Sequence, residues 1–130
     1  MQFVNNPRLV GPDQTKTLEN GFNEMELRWL LTEKNAPVTM CCVGHTLKNK
    51  GGEHRLHHHE NAEEIIVMLR GRAVERIGDQ EYELSPGDCA FIPKGAIHSH
   101  KVVSTDQVET VFIYVGATSF EGTGYVLDQA

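Results

Sequence analysis

The sequence has no long hydrophobic run, no excess of basic residues and no cysteine pair with the spacing of a metal site. Without about 20 consecutive apolar residues, no membrane-spanning helix is predicted. The N-terminus lacks a basic start followed by an apolar segment, so we predict no secretory signal and a cytoplasmic protein. The formal net charge of −6 comes from interleaved acids and bases. This pattern predicts neither a nucleic-acid partner nor a membrane-surface partner.

Cysteine is scarce and occurs as Cys41, Cys42 and Cys89. An odd number of cysteines in apolar, strand-like segments predicts reduced thiols packed in the core of an intracellular protein. Adjacent strand residues face opposite ways, so Cys41 and Cys42 are not expected to share one pocket.

The chain has 130 residues, enough for one domain with its own core. Residues 1–23 are polar, contain Pro7, Gly11 and Pro12, and are predicted to form an irregular arm with one helical turn in TKTLENGF. Residues 24–130 are predicted to form one all-β domain. Short runs rich in β-branched and aromatic residues, separated by turn residues, predict antiparallel strands in a sandwich or barrel. These runs are MELRWLLT, VTMCCVGHTL, EEIIVMLR, RAVERI, QEYELS, CAFI, AIHSHKVV and VETVFIYVG.

Histidines are concentrated in the stretch HRLHHHENAEE, residues 54–64. In a strand, His57 and His59 share a face while His58 points away toward solvent. Glu64 follows at the start of the next apolar run, and the adjacent Glu63 is the alternative acid. Two imidazoles and a carboxylate suit iron, manganese or nickel. A histidine-rich surface loop without function is the alternative for this stretch alone.

A fourth candidate ligand, His98, follows a Pro-Lys-Gly turn at the head of another apolar strand. Taken together, residues 51–71 resemble the first motif of the cupin family, and residues 87–98 resemble the second. The resemblance implies a cupin-type jelly-roll barrel in which His57, His59, Glu64 and His98 surround one divalent metal ion, and it implies a homodimer. Val102 stands where the family often has asparagine, at a position that is not a ligand.

Four protein ligands would saturate tetrahedral zinc, whereas an octahedral ion would keep two open positions. This geometry suits Fe(II), Mn(II) or Ni(II) alike; we favour Fe(II) together with an oxygenase, and Zn(II) is a further alternative. The resemblance and the ligand set predict a metal-dependent enzyme for a small oxygen-chelating substrate such as a diketone, hydroxy acid or phenolic compound. A non-haem iron dioxygenase is the favoured hypothesis. The alternatives are a non-redox lyase, isomerase or cyclase, and a small-molecule-binding protein without catalysis.

Several other residues are open to two interpretations. His100 shares the inward face of His98 and is either an acid–base group or a buried, hydrogen-bonded histidine. Tyr114 and Phe112 share one face of the last strand and form either a pocket wall or core packing; Tyr114 is a candidate catalytic residue. Arg28 is either a surface residue or a pocket residue for a carboxylate. His45 and His54 are expected at strand ends.

Overall fold

Strands dominate the computed structural model, which describes residues 2–128. In this part of the chain the strands are β1 (Phe22–Leu31), β2 (Cys41–His59), β3 (Glu63–Arg70), β4 (Ala73–Ile77), β5 (Gln80–Leu84), β6 (Cys89–Ile92), β7 (His98–Val102), β8 (Val108–Val115) and β9 (Tyr125–Leu127). Short 3-10 helices cover Pro7–Leu9, Leu18–Asn20 and Glu121–Thr123. The predicted helical turn in TKTLENGF corresponds to the second of these.

The strands form one antiparallel sheet that curls into a nearly closed barrel. Its hydrogen-bonded order is β5-β4-β7-β2-β8-β3-β6, and both β1 and β9 pair with β2. Non-consecutive neighbours such as β7, β2 and β8 are typical of a jelly roll. The predicted all-β class and jelly-roll barrel are confirmed.

The long strand β2 reaches both halves of the barrel because its register is interrupted. Its first half, Cys41 to Lys48, pairs with β8, and its last residues pair with β7 and β9. Opposite β1, the register shifts between Asn23 and Met25, where residues 49–52 bulge out. Gly51 supports this bulge with a φ of 77°, a backbone conformation that glycine adopts without a steric penalty. The sequence pattern instead predicts a strand that ends before the bulge.

Alternating side chains fill the barrel interior. On β8 the burial pattern alternates along the whole strand, with Thr110, Phe112 and Tyr114 pointing inward. Gly44 on β2 lies opposite Phe112, and a Cβ at this position would overlap the phenyl ring. The absence of a side chain at Gly44 therefore lets Phe112 occupy the centre of the interior.

The segment before β1 packs along that strand. The Asp13 amide donates to the Leu27 carbonyl at 2.8 Å, and Nε1 of Trp29 donates to Oδ2 of Asp13 at 2.8 Å. The Asn5 side chain donates to the Leu30 carbonyl at 2.9 Å. The division into an arm of residues 1–23 and a domain of residues 24–130 stays a prediction, and Met1, Gln129 and Ala130 lie outside the described residues.

The cysteines differ in exposure. All three are free thiols, with Cys42 buried, Cys41 half-buried and Cys89 exposed. Cys41 and Cys42 face opposite sides as expected. The prediction that all three pack in the core is wrong for Cys89, because β6 is an edge strand and Cys89 is on its outward face. Within residues 2–128 no helix is long and apolar enough to cross a membrane, and the cytoplasmic location stays a prediction.

Candidate metal centre

Three strands bring four potential metal ligands together. His57 and His59 lie at the end of β2, Glu64 at the start of β3 and His98 at the start of β7. Each residue is at least nine-tenths buried, and each offers a nitrogen or oxygen atom within 4.8 Å of the others. His58 points to the opposite face, where its Nδ1 lies 2.8 Å from a carboxylate oxygen of Asp128. It is half-buried there rather than open to solvent. Glu63 is also on the outward face.

A tight turn before β7 positions His98 beside His57 and His59 of β2. The turn Pro93-Lys94-Gly95 is closed by a hydrogen bond from the Ala96 amide to the Pro93 carbonyl at 3.1 Å. Gly95 has a φ of 80°, and its amide donates to the His59 carbonyl at 2.9 Å. The turn thereby fixes the head of β7 beside the end of β2, so that His98 faces His57 across the sheet.

Backbone carbonyls set the tautomers of two of the imidazoles. Nδ1 of His57 lies 2.6 Å from the Arg55 carbonyl, and Nδ1 of His98 lies 2.9 Å from the Ala96 carbonyl. Since a carbonyl can only accept, both Nδ1 atoms carry the proton. In the neutral rings the lone pair is then on Nε2, which is the arrangement expected of metal-binding histidines.

The donor atoms of the four residues fit a metal ion. Nε2 of His98 lies 3.1 Å from Oε1 of Glu64, and two acceptors at this distance need a proton or a cation between them. Nε2 of His59 is buried without a hydrogen-bond partner, and Nδ1 of the same ring lies 3.9 Å from Oε1 of Glu64. Unsatisfied buried polar atoms are rare because they cost desolvation energy. This group of three histidines and one glutamate can therefore hold one divalent ion.

The electrostatic environment favours neutral imidazoles. Burial lowers the pKa of His57 well below its ordinary value, and repulsion from neighbouring histidines, were they protonated, would lower it further. For His59, burial lowers the pKa to about 4 although Glu64 opposes the shift. Neutral imidazole is the form that binds metals.

Three of the four residues, His57, Glu64 and His98, line a cavity in the barrel interior. One part of its wall is apolar and aromatic, formed by Phe22, Met25, Leu27, Ile66, Phe112 and Tyr114. The polar part comprises His57, Glu64 and His98, and also Thr46, Lys48, His54, Glu75, His100 and Thr110. A small organic ligand could therefore contact both the metal ligands and a hydrophobic surface.

A buried pair, His100 and Glu75, lies next to the four potential metal ligands. Nδ1 of His100 is 2.7 Å from Oε1 of Glu75, and both residues are almost fully buried. Burial raises the pKa of Glu75 well above its ordinary value and lowers the pKa of His100 well below its own. The remaining polar atoms of the pair, Oε2 of Glu75 and Nε2 of His100, have no partner in the described structure.

The other residues singled out in the sequence divide between the cavity and the surface. His100, Tyr114 and Phe112 line the cavity. Arg28 does not: its guanidinium contacts the Val10 carbonyl and Glu26 on the opposite face of β1. The hypothesis of Arg28 in the pocket is corrected accordingly, because the neighbouring Leu27 takes the inward face of that strand.

Two further histidine placements correct the sequence-based expectation. His45 is 2% exposed in the middle of β2, where its Nε2 lies 2.7 Å from a carboxylate oxygen of Glu109. His54 stacks on His57 with ring centroids 3.6 Å apart and lines the cavity. His54 and His57 both face inward despite their odd spacing, because the register shifts between them. The Gly51-Gly52 pair signals the neighbouring bulge at residues 49–52, which is separate from the shift between His54 and His57.

Sequence reasoning did not single out Lys48 and Glu75 as site residues. Lys48 reads as part of a polar turn, and Glu75 reads as an ordinary charge in RAVERI. Both are nevertheless buried in the barrel. Alternation places Lys48 on the same face as Thr46 and Glu75 on the same face as Ala73, but only the tertiary pairing decides that these faces point inward.

Solved structures with the same architecture include several cupins. The polyketide cyclase RemF from Streptomyces resistomycificus matches with a TM-score of 0.74 and 20% identity over 88% of this chain and 80% of its own. A predicted oxalate decarboxylase from Thermotoga maritima matches with a TM-score of 0.76 and 21% identity over 87% of this chain and 98% of its own. A cupin 2 conserved barrel domain protein from Rhodopseudomonas palustris matches with a TM-score of 0.73 and 21% identity over 93% of this chain and 77% of its own. At these identities the likeness concerns the fold.

No curated protein sequence matches the chain significantly. The model of the Cupin domain family matches residues 44–114, more than half of the chain. This match includes the end of β2, all of β3 and the head of β7, which carry the four clustered residues. The chain belongs to the cupin family.

Proposed function

We propose that the protein is a metal-dependent enzyme that acts on a small, oxygen-chelating substrate, with His57, His59, Glu64 and His98 as ligands of one divalent ion. The observation that carries this proposal is the cluster of four buried nitrogen and oxygen donor atoms within 4.8 Å of one another beside a cavity. A bound divalent ion would supply Lewis-acid polarisation of chelated oxygen atoms, and iron would add reactivity toward dioxygen.

The protein's own residues orient the metal-binding rings, exclude water from the substrate and supply a group for proton transfer. Backbone carbonyls hold the rings of His57 and His98 in one orientation, which reduces the entropy lost on binding. The wall formed by Phe112 and its apolar neighbours limits water around the substrate. Since Nδ1 of His100 is bonded to Glu75, its Nε2 is the atom that can take or give a proton at the substrate. The hydroxyl of Tyr114 is a second candidate for this role.

Among reaction classes we favour a non-haem iron dioxygenase acting on a diketone, hydroxy acid or phenolic compound. Three neutral imidazoles and one carboxylate form a donor set that suits Fe(II) and leaves room for a chelating substrate on an octahedral ion. Mn(II), Ni(II) and Zn(II) are the alternative ions.

One observation favours a second candidate, a non-redox lyase, isomerase or cyclase. The buried His100–Glu75 pair can transfer a proton without any oxidant, as an enolisation requires. Such an enzyme would use the same metal ligands and the same cavity.

The test is metal analysis of freshly purified, untagged protein, followed by oxygen-uptake assays with representative diketones, hydroxy acids and phenols. Near-stoichiometric iron and substrate-dependent oxygen uptake would support the dioxygenase. Turnover that persists without oxygen would instead support the lyase, isomerase or cyclase. Metal binding without turnover of any kind would leave a small-molecule-binding cupin, and absence of a bound or bindable divalent ion would contradict the metal assignment.

The homodimer is likewise a proposal. Phe3 and Val4, before β1, are about four-fifths exposed, and Phe91 on the edge strand β6 is half exposed. Exposed apolar side chains and a free sheet edge are features that subunit contacts often cover. Light scattering of the purified protein would give the mass directly, and a monomer at all concentrations would contradict the proposal.

A further inference from the structure

Lys48 is the only lysine or arginine among the described residues that line the cavity. It lies at the end of the first half of β2 and is 4% exposed. Lysine is seldom buried to this extent without a partner for its charge. A buried lysine that lines the cavity is therefore a candidate for binding a charged ligand there.

The ammonium group of Lys48 is poorly satisfied by the protein. Its Nζ donates to Oγ1 of Thr46 at 3.4 Å, a long hydrogen bond, whereas an ammonium has three donors. Among residues 2–128 no ion pair joins Lys48 to a carboxylate, and the buried carboxylates of Glu64 and Glu75 each pair with a histidine. Burial lowers the pKa of Lys48 to about 8 although Glu75 and Glu64 oppose the shift, so the group is still largely charged at neutral pH.

Other polar atoms in the cavity are also without partners. Nε2 of His100 and Oε2 of Glu75 are buried and unbonded. They lie on the neighbouring wall, where β7 pairs with β4. The cavity therefore offers a positive charge and further hydrogen-bonding atoms that the protein itself does not use, which is the pattern of a polar ligand subsite.

Strand register separates the Lys48 end of the cavity from the metal ligands. On β8, Thr110 pairs with Thr46 of β2, and Tyr114 pairs with Glu64 of β3. The four-residue interval corresponds to about 13 Å of strand. Phe112 lies between them on the same inward face. The cavity thus has a metal-binding end, an apolar middle and a cationic end.

We propose that Lys48 binds the carboxylate of a small acid whose other end carries the oxygen atoms that chelate the metal and whose apolar body lies against Phe112. The metal-facing half of this inference rests on the proposed function, and the carboxylate subsite rests on Lys48 alone. Within the substrate classes considered, it favours acids with a carboxylate remote from the chelating oxygens over neutral diketones and simple phenols.

The experiment compares two probes of similar shape that differ in one group, the carboxylate of 3,4-dihydroxybenzoate and the neutral amide of 3,4-dihydroxybenzamide. Both have the same chelating hydroxyls and the same ring. Calorimetric titration under anaerobic conditions would measure their affinities for the metal-loaded protein. Benzoate and benzamide, which lack the chelating hydroxyls, would be titrated into the metal-free protein.

For the unaltered protein we expect the acid to bind at least about tenfold more tightly than the amide. A hydrogen bond to a buried charge contributes enough free energy for a difference of this size. In Lys48→Met the preference should fall to less than about threefold, while the amide keeps its affinity. Lys50→Met, which changes an exposed lysine on the same strand, should keep the full preference. Lys48→Gln, which keeps a donor for Thr46, provides a second variant, and thermal unfolding would verify that each variant is folded.

The outcomes for the subsite and for the proposed function can be told apart. Equal binding of acid and amide, each dependent on metal, would overturn the carboxylate subsite and leave the metal site intact. A preference for benzoate that persists in the metal-free protein and disappears in Lys48→Met would support the subsite even if metal-dependent binding failed. A preference unchanged in both Lys48 variants, or no saturable binding of either acid, would overturn the inference.

Discussion

Nε2 of His98 and Oε1 of Glu64 face each other at 3.1 Å in the interior of the barrel. Because Nδ1 of His98 donates to the Ala96 carbonyl, the neutral ring has only a lone pair to present to the carboxylate. A proton or a cation must lie between the two atoms. A metal ion would satisfy this pair and also the unpartnered Nε2 of His59, which gives the metal proposal a physical basis independent of the resemblance between motifs.

Replacing His98 should remove metal binding. We expect His98→Ala to lower the affinity for a divalent ion by more than about 100-fold, since loss of a residue that merely supports a ligand already costs 10- to 100-fold. Metal content after dialysis against a weak chelator would measure the loss. His58→Ala is the matched control, because His58 faces outward from the same strand as His57 and His59. Full metal occupancy in His98→Ala would show that the four-ligand assignment is wrong.

Replacing Gly44 should destabilise the barrel. The added methyl group of Gly44→Ala would overlap the ring of Phe112, and overpacking of a core typically costs about 1–3 kcal/mol. Urea unfolding would measure the free energy of unfolding. Gly11→Ala is a suitable control, since nothing lies within 4 Å of the added atom. In a Phe112→Leu background, Gly44→Ala should lower the free energy of unfolding by less than it does in the unaltered protein. An equal loss in both backgrounds would argue against a clash with the phenyl ring.

Removing the whole carboxyl group of Glu75 should cost more than replacing it with an amide. Glu75→Ala leaves Nδ1 of His100 buried without its partner, and an unsatisfied buried polar group costs about 1–3 kcal/mol. Glu75→Gln retains an oxygen or nitrogen beside the ring, so its effect on the free energy of unfolding should be smaller. Denaturant unfolding of both variants provides the comparison. Equal stability of Glu75→Ala and the unaltered protein would contradict a supporting role for this pair.

Asp13 should contribute to the loss of stability at acid pH. Partial burial would raise the pKa of its carboxyl group, but hydrogen bonds from Thr15 and Trp29, with Lys16 nearby, outweigh burial and hold the pKa well below its ordinary value of 3.8. A carboxyl group whose pKa is lower in the folded state stabilises the protein above the unfolded-state pKa. This contribution is lost as the pH falls below about 4 toward the folded-state pKa.

The variant Asp13→Asn tests that contribution. It should be less stable than the unaltered protein at neutral pH, by up to about 1 kcal/mol. The difference between the two should then diminish as the pH falls below about 4. Thermal or urea unfolding at several pH values would follow the difference, in which the other carboxylates cancel. A constant difference from neutral to acid pH would mean that the charge of Asp13 makes no contribution.

Much of the architecture could be predicted from local patterns. The runs EEIIVMLR and VETVFIYVG became β3 and β8 because alternation and β-branched residues act within a single strand. The end of β2 was misjudged, since KNKGG looks like a turn but forms a bulge within a continuing strand. The short strand β9 was not predicted, because three residues carry little periodic signal and are held by pairing with distant β2.

By itself, the sequence determined the all-β class, the family resemblance and the clustering of His57, His59, Glu64 and His98 as candidate ligands. These depend on period-two alternation and on two short motifs, both of which are local. Only the tertiary structure decided that Lys48, Glu75 and His54 line the cavity and that Arg28 does not. The bulge in β2 shifts which residues face inward, and closure of the barrel decides which inward faces meet. Both depend on pairing between residues far apart in the chain, which local patterns do not encode.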